Sequence, residues 1–347
     1  MKRLSLMILF GVLALTMGLS APVLAEDGDG SVKERWVIED VFTSGIVPFA
    51  IGHRGYGENM GEFPDRPIEN TKEAVRLAFR EGVQIVEVDA VLTRDGQAVA
   101  LHDDFLDDYT CVNTLSFKDL RDRLEDVSTL RHVLQKARAF SMVDGSDRPG
   151  GLVIVEIKTP SPLCDPSDST IPQLVDAVLD DVTMTGMGQQ VMVESFSPEI
   201  LSVVSAWEPG IPLVLTIDIL QLLPPEVIEE LTGMEVTLID KDAGFGLQWG
   251  EIGPLYRLPG YTAIDQYAFT MVAVGARSAS LDKRILLQMA DVNPAYAAAF
   301  TGQLHGMNIA VLVHTIENEA QWEILEALGV DGMYVNDIPL GLTLEGN

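Results

Sequence analysis

The sequence predicts an α/β protein built as a closed (β/α) barrel, and three observations carry that prediction. Apolar, strand-like runs alternate with amphipathic helical stretches from residue 47 to the end of the chain. The alternation gives about eight units, which argues for a parallel sheet closed on itself rather than an open one. Polar residues suited to chemistry fall at the ends of these runs, where such a barrel opens.

Taken in order, the strand candidates are residues 47–53, 83–91, 98–102, 152–157, 190–195, 211–217, 309–314 and 332–336, with 278–287 as a further possibility. Helices are expected over 69–81, 129–140, 171–181, 197–207 and 318–328. Thr71-Lys72-Glu73 and Ser197-Pro198-Glu199 read as helix starts, with a hydroxyl cap and an acid or proline in the first turn. The 218–293 region breaks the rhythm, with Phe245, Trp249, Tyr256, Tyr261 and Tyr267 crowded among glycines. It reads as an insertion, either a lid over the site or a surface excursion packing on its own aromatics.

Residues 1–25 read as a signal peptide: Lys2 and Arg3, an apolar run from Leu4 to Leu19, then Val23-Leu24-Ala25 at the cut. A retained anchor is the alternative, but the run is short for a span and an acidic stretch follows it. A lead-in occupies 26–46, and one domain is expected over 47–347. Export to the periplasm or the exterior would let the only cysteines, Cys111 and Cys164, pair; two free thiols are the other reading. The net charge is −29. Lys2 and Arg3 leave with the leader, so 21 basic residues then face 52 acidic ones, or −31. Such a surface repels nucleic acid and anionic membrane and argues against both as partners. An anionic substrate would therefore need strong local cations. No sequence feature fixes the oligomeric state.

Alternation along 83–91 places Glu87 and Asp89 on one strand face and Val86 and Val88 on the other. Ile154, Glu156 and Lys158 share a face in the same way. Carboxylates in so apolar a setting repel each other and lose hydration, so a cation must sit among them. Three carboxylates at strand ends suit Ca²⁺ or Mg²⁺ better than Zn²⁺. A buried ion-pair network with Lys158 or Arg54, without metal, is the alternative. His53 and His102 each end a candidate strand, where two imidazoles can divide acid and base roles. Arg54 and Lys158 offer the fixed positive charge a phosphate needs. His314 ends a late strand and can line the opening, while His132 and His305 sit in helices and read as structural.

Between residues 47 and 340, the insertion excepted, the chain resembles the glycerophosphodiester phosphodiesterase family. The resemblance rests on His53-Arg54-Gly55, Glu69-Asn70-Thr71, Glu87-x-Asp89, Thr93-x-Asp95-Gly96, His102-Asp103, Glu156-x-Lys158, Ser195-Phe196 and the closing Asp331-Gly332-x-x-x-Asn336-Asp337-x-Pro339. It implies a TIM barrel that hydrolyses glycerophosphodiesters, small molecules of lipid metabolism, to glycerol 3-phosphate and an alcohol. It further implies one divalent cation on Glu87, Asp89 and Glu156 with Glu69 near or on it, acid–base roles for His53 and His102, and phosphate contacts from Arg54 and Lys158. Phe196 and His314 would line the pocket. Two departures fall on the alcohol side: Phe105-Leu106-Asp107-Asp108-Tyr109-Thr110 replaces an Arg-Thr-Thr run, and His314-Thr315 stands where many relatives have Trp-Thr. Asp103, Asp104, Asp107 and Asp108 near the mouth would favour a cationic alcohol, or form a solvated loop. The competing readings are a barrel phospholipase acting on lipid or lysolipid and a non-catalytic binding relative.

Overall fold

Eight parallel strands pair edge to edge in chain order and close on themselves: β1 (Phe49–Gly52), β2 (Ile85–Leu92), β3 (Leu152–Ile157), β4 (Val191–Ser195), β5 (Leu213–Ile217), β6 (Ser278–Asp282), β7 (Ala310–Ile316) and β8 (Gly332–Val335). β8 pairs with β1 from Gly332↔Phe49 to Val335↔Gly52, and β1 pairs with β2 at Ile51↔Ile85, which seals the ring. The protein is a TIM barrel. Its structure, a computed structural model, describes residues 24–26, 32–124, 126–143, 148–158, 164, 170–218 and 263–346.

Helices form where local chemistry starts and stops them. Lys72–Glu81 begins at Thr71, whose hydroxyl accepts from Ala74 N–H, and ends at Gly82 with φ 106°. Leu130–Arg138, Pro198–Trp207 and Glu319–Ala327 are capped by Thr129, Ser197 and Asn318 in the same way. Each cap contributes about 1 kcal/mol. The outward side chains of the strands (Val86, Val88, Val153, Val155, Val193, Val311 and Val313 among them) pack against these helices in one core.

The barrel interior divides in two along its axis. Its amino-terminal half is filled by Phe49, Ile51, Ile85, Ile154, Met192, Val214 and Leu312, and a lead-in helix (Ile38–Thr43) plugs that end with Ile38 and Val41. The carboxyl-terminal half carries the polar residues. Alternation within each strand therefore sends apolar side chains out to the helices everywhere and polar ones inward only near the mouth.

Two expectations are corrected. Residues 98–102 do not supply a barrel strand: Ala98–Ala100 pairs antiparallel with the end of β2 (Val91↔Val99, Leu92↔Ala98) and then with Ser128–Thr129, outside the ring. The strand that completes the eight is instead β6, within the 278–287 stretch held as a further possibility; it lies inside the region read as an insertion and is flanked by helices Ala263–Val274 and Lys283–Val292. Tyr267, counted with the aromatic crowd, is buried and donates its hydroxyl to Leu215 O. The 218–293 insertion thus contracts, since 263–293 belongs to the barrel; residues 219–262, and residues 1–23 of the stretch read as a signal peptide, lie outside the described residues. Among the described residues no helix is long and apolar enough to cross a membrane.

Candidate active site

The carboxyl-terminal mouth holds a cavity of about 160 Å³ lined by His53, Arg54, Glu87, His102, Glu156, Lys158, Glu194, Phe196 and His314, with Glu58, Thr216, Asp218, Thr315 and Tyr334. Parallel register aligns Asp89 with Glu156 and Glu156 with Glu194 across β2, β3 and β4. Glu87, Asp89 and Glu156 each bring an oxygen within 4.8 Å of the others, and all three are buried.

Cations answer only part of this charge. Lys158 Nζ bridges Asp89 Oδ1 at 2.8 Å and Glu156 Oε1 at 2.7 Å. Arg54 donates to Glu69 Oε1 at 2.8 Å and approaches Asp89 Oδ2 at 3.7 Å. Burial alone would raise the Asp89 pKa, but Lys158, His102 and Arg54 hold it well below the usual carboxylate range. Burial would likewise lower the pKa of Lys158 and Arg54, yet Asp89 and its neighbouring carboxylates push both above their ordinary values. Glu87 shows the opposite: burial and the charges of Asp89, Glu156 and Glu194 drive its pKa well up. Glu156 is pushed up to about 7, by burial first. Glu87 Oε1 is buried with no hydrogen-bond partner among the described residues.

The ion-pair alternative is therefore present but incomplete. Glu69, Glu87, Asp89, Glu156 and Glu194 are buried, and among the described residues only Arg54 and Lys158 stand against them in the pocket. An orphaned oxygen, an all-carboxylate donor set and surplus negative charge fit a hard divalent cation.

Local backbone explains why these residues converge. Arg54 adopts φ 49°, uncommon for a residue with a side chain, and its N–H donates to Glu87 Oε2 at 2.9 Å. Gly57 lies so close to Asn336 that a Cβ would sit 2.1 Å from its carbonyl oxygen, which is why the turn after His53-Arg54-Gly55 needs a further glycine. Glu69 and Asn70 precede their helix rather than opening it. Asn70, at φ 55°, donates Nδ2 to Asp89 Oδ2 at 2.7 Å and accepts from Asp89 N–H at 2.9 Å. Glu69 accepts from Arg54 and from Asn59 N–H at 2.8 Å and stands outside the carboxylate cluster. It positions Arg54.

Both histidines reach the cavity. Asn336 Oδ1 accepts from Glu58 N–H at 3.1 Å, so its 2.8 Å contact with His53 Nδ1 requires the ring to be the donor there. That leaves His53 Nε2 bare, 4.0 Å from Glu87 Oε2. Burial, then the Arg54 charge, holds the His53 pKa well below its ordinary value. His102 does not end a barrel strand as expected. It follows the antiparallel strand Ala98–Ala100, which folds back from β2 and returns the chain to the mouth, and its Nδ1 lies 2.9 Å from Asp103 Oδ1. Cys111 and Cys164 form a disulfide, tying the His102 segment to the chain beyond Lys158. His132 and His305 stay away from the cavity, and His305 pairs with Asp331. Of the acidic run, Asp103 backs His102 and Asp108 pairs with Arg123. The aromatic stretch on which a lipid-directed reading would turn lies, up to residue 262, outside the described residues.

Sequence reasoning missed the wall opposite. Glu194, Thr216, Ser280 and Tyr334 are buried there, with Thr216 Oγ1 and Tyr334 OH donating to Glu194 at 2.5 and 2.7 Å. The face rule applied to β2 and β3 would have flagged Glu194, which shares the inward face of β4 with Met192.

Together these features define a TIM-barrel protein with an acidic pocket at the strand ends whose carboxylates are compatible with a bound cation. The profile of the Glycerophosphoryl diester phosphodiesterase family matches residues 53–241, more than half of the chain. The chain belongs to that family. Arabidopsis thaliana glycerophosphodiester phosphodiesterase GDPD1, chloroplastic, is 38% identical over 60 residues (16% of this chain, 17% of that protein). GDPD3 of the same plant is 31% identical over 100 residues (26% of this chain, 25% of that protein). The chain spans a quarter or less of these curated relatives. Among solved structures, an Oleispira antarctica phosphodiesterase in complex with sn-glycerol-3-phosphate superposes with a TM-score of 0.56 at 16% identity, over 88% of this chain and 99% of that one. The Thermotoga maritima glycerophosphodiester phosphodiesterase gives 0.55 at 17%, over 85% and 97%. Both likenesses concern the fold.

Proposed function

We propose that this protein is a metal-dependent phosphodiesterase that hydrolyses glycerophosphodiesters to glycerol 3-phosphate and an alcohol. The observation that carries the reading is the excess of buried carboxylate over cation at the mouth, with two imidazoles on the same cavity. Family membership and the product bound in the Oleispira relative support the substrate class.

Glu87, Asp89 and Glu156 would hold one divalent cation, Ca²⁺ or Mg²⁺, which when bound supplies Lewis-acid stabilisation of charge on the phosphoryl oxygens. Arg54 and Lys158 add two fixed positive charges beside it, so a phosphodiester can approach a protein that is otherwise strongly anionic. His53, neutral and with Nε2 bare toward the cluster, takes the proton of the attacking hydroxyl. His102, its Nδ1 engaged by Asp103, protonates the departing alkoxide through Nε2. Glu69, Asn70 and Asn336 hold Arg54, Asp89 and His53 in place and exclude alternative rotamers.

The leader and the disulfide support export to an oxidising compartment, the periplasm or the exterior. The test of function is release of glycerol 3-phosphate from glycerophosphocholine, with chelator and with Ca²⁺ or Mg²⁺ restored. Turnover that survives complete chelation would sink the metal site, and absence of turnover on every glycerophosphodiester would sink the activity.

A further inference from the structure

The far wall of the cavity carries a second polar arrangement that the proposed chemistry does not use. Glu194 on β4 receives hydroxyl hydrogen bonds from Thr216 on β5 and Tyr334 on β8, and the Ser280 side chain on β6 also hydrogen-bonds to it. All four residues are buried, Ser280 completely. Ser280 Oγ lies 3.1 Å from Nδ1 of His314 on β7. A hydroxyl has one proton. If Ser280 gives its proton to the carboxylate, its oxygen must accept from His314, which places the imidazole proton on Nδ1 and leaves Nε2 as a bare lone pair. His314 is only half-buried, and its ring stands edge-on to Phe196 (centroids 6.3 Å apart) and Tyr334 (6.1 Å) on the cavity wall. The aromatic edges fix the ring plane while the Glu194–Ser280 pair fixes the tautomer.

We propose that Glu194 and Ser280 position His314 so that its Nε2 accepts a hydrogen bond from a free hydroxyl on the part of the substrate that stays on the phosphate, selecting polyol phosphodiesters over diesters that lack the hydroxyl. His314 is the binding residue; Glu194 and Ser280 act through it. This rests on the phosphodiesterase reading and names the wall that recognises the organic part of the substrate. A neutral acceptor suits the task, because a hydroxyl donates to it without bringing a second charge into a pocket already rich in carboxylate. An analogue without the hydroxyl leaves that acceptor desolvated and unpaired, which is the physical origin of strong discrimination.

Binding of two monoesters tests the assignment without needing turnover. sn-Glycerol 3-phosphate and n-propyl phosphate are titrated calorimetrically into the full chain with saturating Mg²⁺ or Ca²⁺. The wild-type protein should prefer glycerol 3-phosphate by roughly tenfold or more. His314→Phe should bring the two affinities to within about twofold of each other, whereas His314→Gln, which keeps an acceptor, retains most of the preference. Ser280→Ala should lower the preference partway and convert the His314 ring from the Nδ1–H tautomer to a mixture, read from long-range ¹H–¹⁵N spectra of the imidazole. An unchanged preference in His314→Phe overturns the proposal, as does a wild-type ring protonated on Nε2. If glycerophosphocholine is hydrolysed while neither monoester is discriminated, this assignment alone fails. If no diester is hydrolysed and neither monoester binds, the phosphodiesterase reading fails with it.

Discussion

The two walls of the cavity solve the problem of buried polarity by different means. On β1, β2 and β3, carboxylates are set against Arg54 and Lys158, and one oxygen of Glu87 is left without a partner among the described residues. On the other side, Glu194 on β4 is satisfied by the neutral hydroxyls of Thr216 and Tyr334, and the His314 imidazole is held through a third hydroxyl, that of Ser280. On the proposed reading, the first wall takes up a cation and a phosphate. The second, with Glu194 satisfied by hydroxyls, presents one directional acceptor among aromatic edges. On that reading the reaction belongs to the wall whose charge a ligand must complete, and recognition to the wall whose carboxylate is already satisfied.

The contrast predicts its largest effects within the charged wall. Asp89→Ala leaves the Asn70 amide without its acceptor and takes from Lys158 and Arg54 a carboxylate that each shares with a second one, and should destabilise the metal-free protein by about 3 kcal/mol. Glu87→Gln removes a carboxylate that its neighbours already oppose, so it should leave metal-free stability unchanged or raise it. The same variant should lose the rise in thermal midpoint that Mg²⁺ or Ca²⁺ gives the wild type. Chemical denaturation and thermal scans with and without the ion measure both. Equal destabilisation by the two substitutions would erase the distinction between a paired and an uncompensated carboxylate.

Next in size is the division of labour between the histidines. His53→Ala and His102→Ala should each lower kcat on glycerophosphocholine by roughly 10²-fold or more, with the fold intact by circular dichroism. The two part company when the leaving group needs no proton. On a p-nitrophenyl diester of glycerol phosphate, His102→Ala should recover most of its rate and His53→Ala should not. The reverse pattern would exchange the base and acid assignments.

The difference between the walls also explains what the sequence made legible. Glu87, Asp89 and Glu156 stood out because charged residues interrupt strands of valine and isoleucine, and a period of two put them on one face. β6 offered no such contrast. Its inward residues are Ser278, Ser280 and Asp282 and its outward ones Ala279 and Leu281, a run so small and polar that 278–287 read only as a further possibility. The run at 98–102 looked like a strand and is one, but side-chain alternation does not distinguish parallel from antiparallel pairing. The turn at Asp95-Gly96 between β2 and Ala98–Ala100 was the available hairpin signal. His102 therefore reached the mouth by a different route from the one expected. The motif left Glu69 either near the metal or on it, and three-dimensional packing shows its oxygens engaged by Arg54 and Asn59.

The smallest effect tests the second wall through pH. Burial lowers the His314 pKa to about 4; Asp282 opposes the shift, while Lys158, Arg284 and Lys283 reinforce it. The folded state thus binds fewer protons than the unfolded chain, whose histidine titrates near 6.5. Stability from this group is intact above that pH and is lost as pH falls from about 6.5 toward about 4. Between pH 7 and pH 5 the loss amounts to about 2 kcal/mol. His53 is shifted in the same direction, so the wild-type slope contains both. His314→Phe removes one of them while His53 stays in place, and urea unfolding at pH 7 and pH 5 should show the variant losing about 2 kcal/mol less than the wild type. An equal loss in both proteins would mean that His314 is freely hydrated in the folded state, and a hydrated imidazole would not offer the fixed, dry acceptor that the Glu194–Ser280 pair is built to hold.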